Sequence, residues 1–202
     1  LVQKYINADG TTPKLNKLGE KAWKKTRSKV AKTVENIAEE LADIYAERKA
    51  RKGFAFAVDD LEMQKFELRF EFEETPDQMQ VINSVKADME NEMAMDRLVC
   101  GDVGFGKTEI AMRATFKAVQ QEKQVAILVP TTILAQQHFE TFCKRFEGTP
   151  FIIDVISRFR TATEQKIIIK RLQEGKIDVL IGTHRMLSKD VKFKELGLLV
   201  VD

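Results

Sequence analysis

The chain has 202 residues, 44% hydrophobic and 32% charged, with a formal net charge of +2. That length and apolar content allow one or two domains with a buried core, and exclude a disordered or fibrous chain. No apolar run approaches the roughly 20 residues that cross a bilayer, and residues 1–10 carry charges where a secretory leader has an apolar centre. The reading is therefore a cytoplasmic protein with no membrane partner. Leu1 in place of an initiator Met gives the further expectation of an excerpt from a longer chain.

Residues 1–19 are turn-rich, with Asp9-Gly10 and Thr12-Pro13, and read as a linker or the tail of a preceding domain. Residues 20–52 contain neither Pro nor Gly, and Trp23, Val30, Val34, Ile37, Leu41 and Ile44 recur at spacings near three, four and seven. That spacing predicts one long helix with a narrow apolar stripe, stopped at Gly53. Its polar face is basic at the start (Lys21, Lys24, Lys25, Arg27, Lys29, Lys32) and again at the end (Arg48, Lys49, Arg51, Lys52). A solvated surface helix, an element docking on a neighbouring domain and a nucleic-acid contact all fit such a face. The charge is unevenly distributed. Residues 1–52 hold thirteen Lys and Arg against seven Asp and Glu, whereas residues 59–96 hold three against twelve.

Residues 53–74 mix aromatic and acidic side chains and read as an irregular, partly extended connector. A domain over 75–202 follows. Thr75-Pro76-Asp77-Gln78 opens a helix, with Thr75 as N-cap and Pro76 at the first position, running to about residue 92 through Met79, Ile82, Val85 and Met89. Residues 97–100 read as a short buried strand. The next stretch, Gly101-Asp102-Val103-Gly104-Phe105-Gly106-Lys107-Thr108, fits G-x-x-x-x-G-K-[ST], and a helical pattern extends from it to Val119. Glycines let the backbone wrap a phosphate, and the N–H groups face it at the positive end of the helix. Lys107 then holds the β- and γ-phosphates of a nucleoside triphosphate, and the Thr108 hydroxyl ligates Mg²⁺.

Strands predicted at 124–130, 151–157, 176–182 and 196–202 alternate with helices at 132–146, 162–173 and near 185–188. Continuous apolar strands between helices mean a parallel sheet covered on both faces. The expected fold class is thus α/β: a P-loop NTPase (RecA-like) sheet preceded by a long basic amphipathic helix. Cys100 and Cys143 read as core thiols of a reducing compartment, and neither they nor His138 and His184 have metal-ligand spacing.

Ligands of open α/β sheets sit at the carboxyl ends of the strands. Four strands end there in polar turns: residues 101–108, 130–132, 157–160 and 182–185. Asp202 follows Leu198-Leu199-Val200-Val201, as a Walker B aspartate is presented to Mg²⁺.

In order, GDVGFGKTEIAMRA, VPTTILAQQHFETF, ISRFRT, IGTHRMLS and LLVVD resemble motifs I, Ia, Ib, the next DNA-contacting motif and the start of motif II of superfamily-2 helicases and translocases. TPDQMQ resembles their Q motif. Within that group the sequence is most similar to the bacterial transcription-repair coupling factors, whose relay helix resembles residues 20–52; RecG-type helicases are the nearest neighbours. The resemblance implies adenine recognition by Gln78 with Phe72 stacking on the base, and a Mg²⁺ role for Asp202. It also implies a DNA track lined by Thr131, Thr132, Gln136, Arg158, Arg160, Thr183 and Arg185. The implied activity is ATP-driven movement on double-stranded DNA that displaces stalled RNA polymerase and recruits nucleotide excision repair proteins. The polymerase contact would lie in a domain before Leu1.

Motif II continues with an acid beyond Asp202, and the second motor lobe supplies an arginine finger; neither lies within these 202 residues. The expectation is a chain with little ATPase activity alone and an unfilled position in mid-sheet, between the P-loop strand and the Walker B strand. A small-molecule kinase and a non-enzymatic interaction module are the alternatives from other classes.

Overall fold

A computed structural model describes residues 21–50 and 52–202. The linker expected at 1–19 lies outside them. Two compact units divide at residue 51. The first holds the long helix α1 (Lys21–Ala50), whose 30 residues match the predicted helix and whose last turn carries Arg48 and Lys49.

In the second unit α2 (Leu61–Leu68), α3 (Pro76–Met89) and α4 (Lys107–Val119) precede a sheet of four parallel strands. The strands are β1 (Gln124–Leu128), β2 (Ile153–Ile156), β3 (Val179–Gly182) and β4 (Leu196–Val201), interleaved with α5 (Thr132–Arg145), α6 (Ala162–Gln173) and a 3₁₀ turn (His184–Leu187). Their spatial order is β2-β3-β1-β4. Alternation along β1 sends Val125 and Ile127 into a core shared with α3, α4 and α5, and Ala126 into a second core with Ile168, Ile169 and Leu172 of α6. Both faces are covered, as expected. Gln124, buried at the head of β1, has its amide saturated. Its nitrogen donates to the carbonyls of Leu172 and Ile177, and its oxygen accepts from the N–H groups of Lys194 and Glu195.

Three expectations fail. The connector is not irregular throughout. Asp60 accepts from the Met63 N–H at 2.9 Å and caps α2, whose Met63 and Phe66 are buried. The Asx cap and the i, i+3 apolar pair were visible in the sequence, but the surrounding acids masked them.

Residues 97–100 form no strand. β4 is the edge of the sheet, and Leu98 is exposed although Val99 touches the core. A strand exists only through a partner's hydrogen bonds, and the residues of the described sheet supply none here. Met95, Leu98 and Val99 line a cavity of about 190 Å³ together with Leu198–Asp202.

Cys100 and Cys143 are exposed rather than core. Cys100 ends the unpaired segment. Cys143 lies on the outer face of α5, beside the fully buried Phe142. Burial nevertheless raises the Cys143 thiol pKa, with Asp154 adding to the effect.

Charge, not apolar contact alone, joins the connector to α4. Lys117, 2% exposed, donates to Asp59 (2.7 Å), Glu90 (2.7 Å) and the Ala57 carbonyl (2.8 Å). Arg113, 3% exposed, binds Glu109, Glu67 and Glu74, and Lys86 of α3 bridges Asp59 and Glu67. Burial by itself raises the Asp59 pKa, but the bonds to Lys117 and Lys86 outweigh it and hold the carboxyl below its ordinary 3.8. A depressed carboxyl stabilises the fold above its unfolded value and loses that contribution as pH falls through the folded one. Asp59→Asn is therefore expected to destabilise at pH 7 by roughly 1.5–3 kcal/mol, the range for hydrogen bonds to charged groups. In thermal melts the gap to wild type should close as pH drops below the ordinary carboxylate value; a pH-independent gap would point to packing instead.

Candidate nucleotide and nucleic-acid site

The phosphate loop is built by two glycines. Gly104 (φ 87°) and Gly106 (φ 70°) occupy the left-handed region, and Gly106 is the N-cap of α4. The first turn of a helix has no intrahelical partners for its N–H groups, so those of Lys107 and Thr108 are available to an anion. The Lys107 ammonium folds onto the Gly101 and Asp102 carbonyls at 2.7 and 2.8 Å. Val103 and Phe105 are exposed at the loop's tip.

Lys107, Thr108 and Asp202 line the same cavity beside β4. The main-chain N–H of Asp202 donates to the Leu128 carbonyl at 2.9 Å, which extends the β1–β4 register by one residue. A cation, a hydroxyl and a carboxylate around one cavity at a helix N-terminus suit a nucleotide phosphate with Mg²⁺, a hard ion that takes oxygen ligands. On this donor set, Lys107 and the loop N–H groups would hold the phosphates, and Thr108 and Asp202 the ion.

The two residues expected at the base are separated. Phe72 lines a cavity of about 580 Å³ with Arg69, Phe70, Thr108, Met112 and Lys144. Gln78 is not among its lining residues, because its amide is engaged elsewhere. The Gln78 oxygen accepts from the Thr75 N–H at 2.8 Å, closing a capping box, and its nitrogen donates to the Phe105 carbonyl at 3.0 Å. Gln78 thus ties the start of α3 to the phosphate loop.

At the carboxyl ends of β1, β2 and β3, Thr131, Thr132, Arg158, Thr183 and Arg185 line one shallow cavity with His184 and Gln165. Thr131 caps α5, accepting from the Leu134 N–H at 3.2 Å. Arg158 is exposed, its guanidinium 5.7 Å from the ring of the exposed Phe159. Arg185 is held by a bidentate pair to Asp190 (2.8 and 2.7 Å), which raises its pKa, and by Gln165. Arg160 and Gln136 are not in this cluster. Arg160 faces Asp154 and Glu164, each at 3.6 Å, and Gln136 donates to Glu140 at 2.8 Å.

The sequence profile of the DEAD/DEAH box helicases matches residues 75–202. The chain belongs to that family. It is 55% identical over 202 residues to the transcription-repair-coupling factor of Haemophilus influenzae, and 54% identical over 201 residues to those of Bacillus subtilis and Staphylococcus aureus. Each match covers the whole of this chain but only 17–18% of the relative. The fold also resembles a solved RecG bound to a three-way DNA junction, with a TM-score of 0.73 and 34% identity over 78% of this chain and 22% of that one. Membership of the helicase family implies use of ATP.

Sequence reasoning missed His138, which lies 2.7 Å from Asp202, and the Arg69–Phe70 wall of the cavity beside Phe72. His138 belonged to no recognisable spacing, and its partner is 64 residues away. A Cβ on Gly106 would stand 2.8 Å from the Gln78 amide nitrogen, in a backbone conformation that alanine resists. Gly106→Ala is therefore expected to abolish binding of a fluorescent ATP analogue while Gly175→Ala, which carries the same left-handed strain (φ 74°) outside the cavities at the loop, leaves it intact. Equal affinities in the two variants would rule out this role for the loop.

Proposed function

We propose that this chain is the ATP-binding first motor lobe of a double-stranded DNA translocase of the transcription-repair coupling type. Residues 75–202 form the lobe, 20–52 a connecting relay-like helix and 53–74 the connector between them. The whole motor, in this reading, works in the cytoplasm on DNA, displaces stalled RNA polymerase and brings nucleotide excision repair proteins to the lesion. The observation that carries it is that two chemistries share one edge of the sheet. A phosphate loop faces Asp202, and beside it lies a cluster of hydroxyls and arginines that can bind a DNA backbone without reading sequence.

Within the lobe, Lys107 exchanges its two carbonyl partners for phosphate oxygens. Gln78, through Phe105, links that loop to the start of α3. Bound Mg²⁺ would neutralise charge developing on the phosphates. Thr131, Thr132, Arg158 and Thr183 would hold successive phosphates of one strand, with Arg160 and Gln136 brought in only by a rearrangement of their present partners. An identity of 54–55% to transcription-repair-coupling factors, against 34% to RecG, favours this reading over a RecG-type helicase.

Two measurements test it. The 202-residue polypeptide is expected to turn over ATP no faster than its Lys107→Ala variant, whereas a polypeptide extended through a second motor lobe hydrolyses ATP and is stimulated by double-stranded DNA. Stimulation by a small metabolite instead of DNA would return the assignment to a kinase, and hydrolysis by neither to an interaction module. In the extended protein Arg158→Ala should weaken binding to unrelated DNA sequences alike and lower the salt slope by about 1. A sequence-dependent loss would contradict a purely backbone-tracking role.

A further inference from the structure

α5 touches both chemistries. Its N-terminus, Thr131 and Thr132, lines the hydroxyl–arginine cluster. About two turns on, His138 projects into the cavity that holds Lys107, Thr108 and Asp202. There its Nε2 lies 2.7 Å from Oδ2 of Asp202. The imidazole is only 11% exposed, whereas the aspartate side chain is 44% exposed. Its Nδ1 is buried and has no partner among the described residues. The aspartate is thus fixed twice, by the sheet through its main chain and by α5 through one carboxylate oxygen. The second oxygen remains for another ligand.

Resting on the motor reading above, we propose that His138 is a positioning residue that aims the Asp202 carboxylate and makes α5 the mechanical link between DNA backbone and nucleotide. The imidazole holds Oδ2 and leaves Oδ1 for an ion shared with Thr108, which lines the same cavity. A phosphate pressing on the Thr131–Thr132 end of α5 moves the same helix that holds this carboxylate. DNA and nucleotide then alter each other's affinity through one hydrogen bond, and thermodynamic linkage makes the effect reciprocal. Hydrogen bonds that orient a metal-ligating carboxylate are typically worth 10–100-fold in metal affinity or activity.

The test uses the full-length protein and three binding readouts: a fluorescent ADP analogue without Mg²⁺, the Mg²⁺ concentration for half-maximal tightening of that analogue, and the affinity for a double-stranded DNA with and without Mg²⁺-nucleotide. His138→Ala is expected to raise the Mg²⁺ requirement by about 10-fold, beyond any change in Mg²⁺-free nucleotide binding. It should also abolish the effect of nucleotide on DNA affinity. His138→Gln, whose amide nitrogen reaches to a similar distance, should recover part of both. An unaltered Mg²⁺ requirement and unaltered linkage in His138→Ala would overturn the proposal. So would loss of Mg²⁺-free binding in both variants with a lowered melting temperature, which marks a packing role. Wild-type protein that binds nucleotide but shows no linkage to DNA would instead sink the motor reading itself.

Discussion

The structure depends on the charged side of α4. Ten of its thirteen residues are buried, Glu109, Arg113 and Lys117 among them. Those three recur every fourth position, a stripe that ordinarily faces water. Here the connector and α3 cover it, and each charge meets opposite partners: Lys117 meets Asp59 and Glu90, Arg113 meets Glu67 and Glu74, and Glu109 meets Arg113 and Arg145. Arg145 also lies over the Phe66 ring at 3.9 Å. Desolvating so many charges is expensive, and oily residues of equal volume could stabilise the fold as well. The network instead fixes geometry. It ties the connector, in the observed register, to the helix that begins at the phosphate loop.

That register places Phe70 and Phe72 beside Thr108, and α3 where Gln78 reaches the Phe105 carbonyl. Three successive elements therefore meet at one loop. Lys107 rests on that loop's own carbonyls. The apolar core lies elsewhere, in the stacked rings of Phe66 and Phe116 (4.1 Å) and in the sheet. α4 joins that core to the loop, with Gly106 as its N-cap.

The open side of β4 is the counterpart of this order. Its outer-edge residues Leu196, Leu199 and Val201 are each at least half exposed, and the cavity beside them separates the strand from residues 95–99. Exposed edges bearing apolar side chains invite pairing. Asp202 lies at the end of that strand, so the aspartate's environment is set on one side by β1 and α5 and on the other by whatever lies along the edge.

Much of the fold was legible in the sequence. The P-loop, the Thr75 cap and four apolar runs defined the sheet, its helices and its functional edge, because turn chemistry and periodicity are local properties. Residues 97–100 illustrate the limit. Their apolar pattern is that of a strand, yet strand formation requires a neighbour's hydrogen bonds, and local sequence cannot supply a neighbour. Arg160 and Arg185 read alike in sequence, but Asp154 and Glu164 draw one away from the cluster, and Asp190 fixes the other at its rim. Lys117 and His138 carried no signal, since their partners lie 27 to 64 residues away. The sequence by itself determined which backbone would cradle a phosphate. Only the tertiary structure decided which side chains hold that cradle and its aspartate in place, because ion pairs and imidazole–carboxylate contacts depend on distances between elements, and those are set by packing.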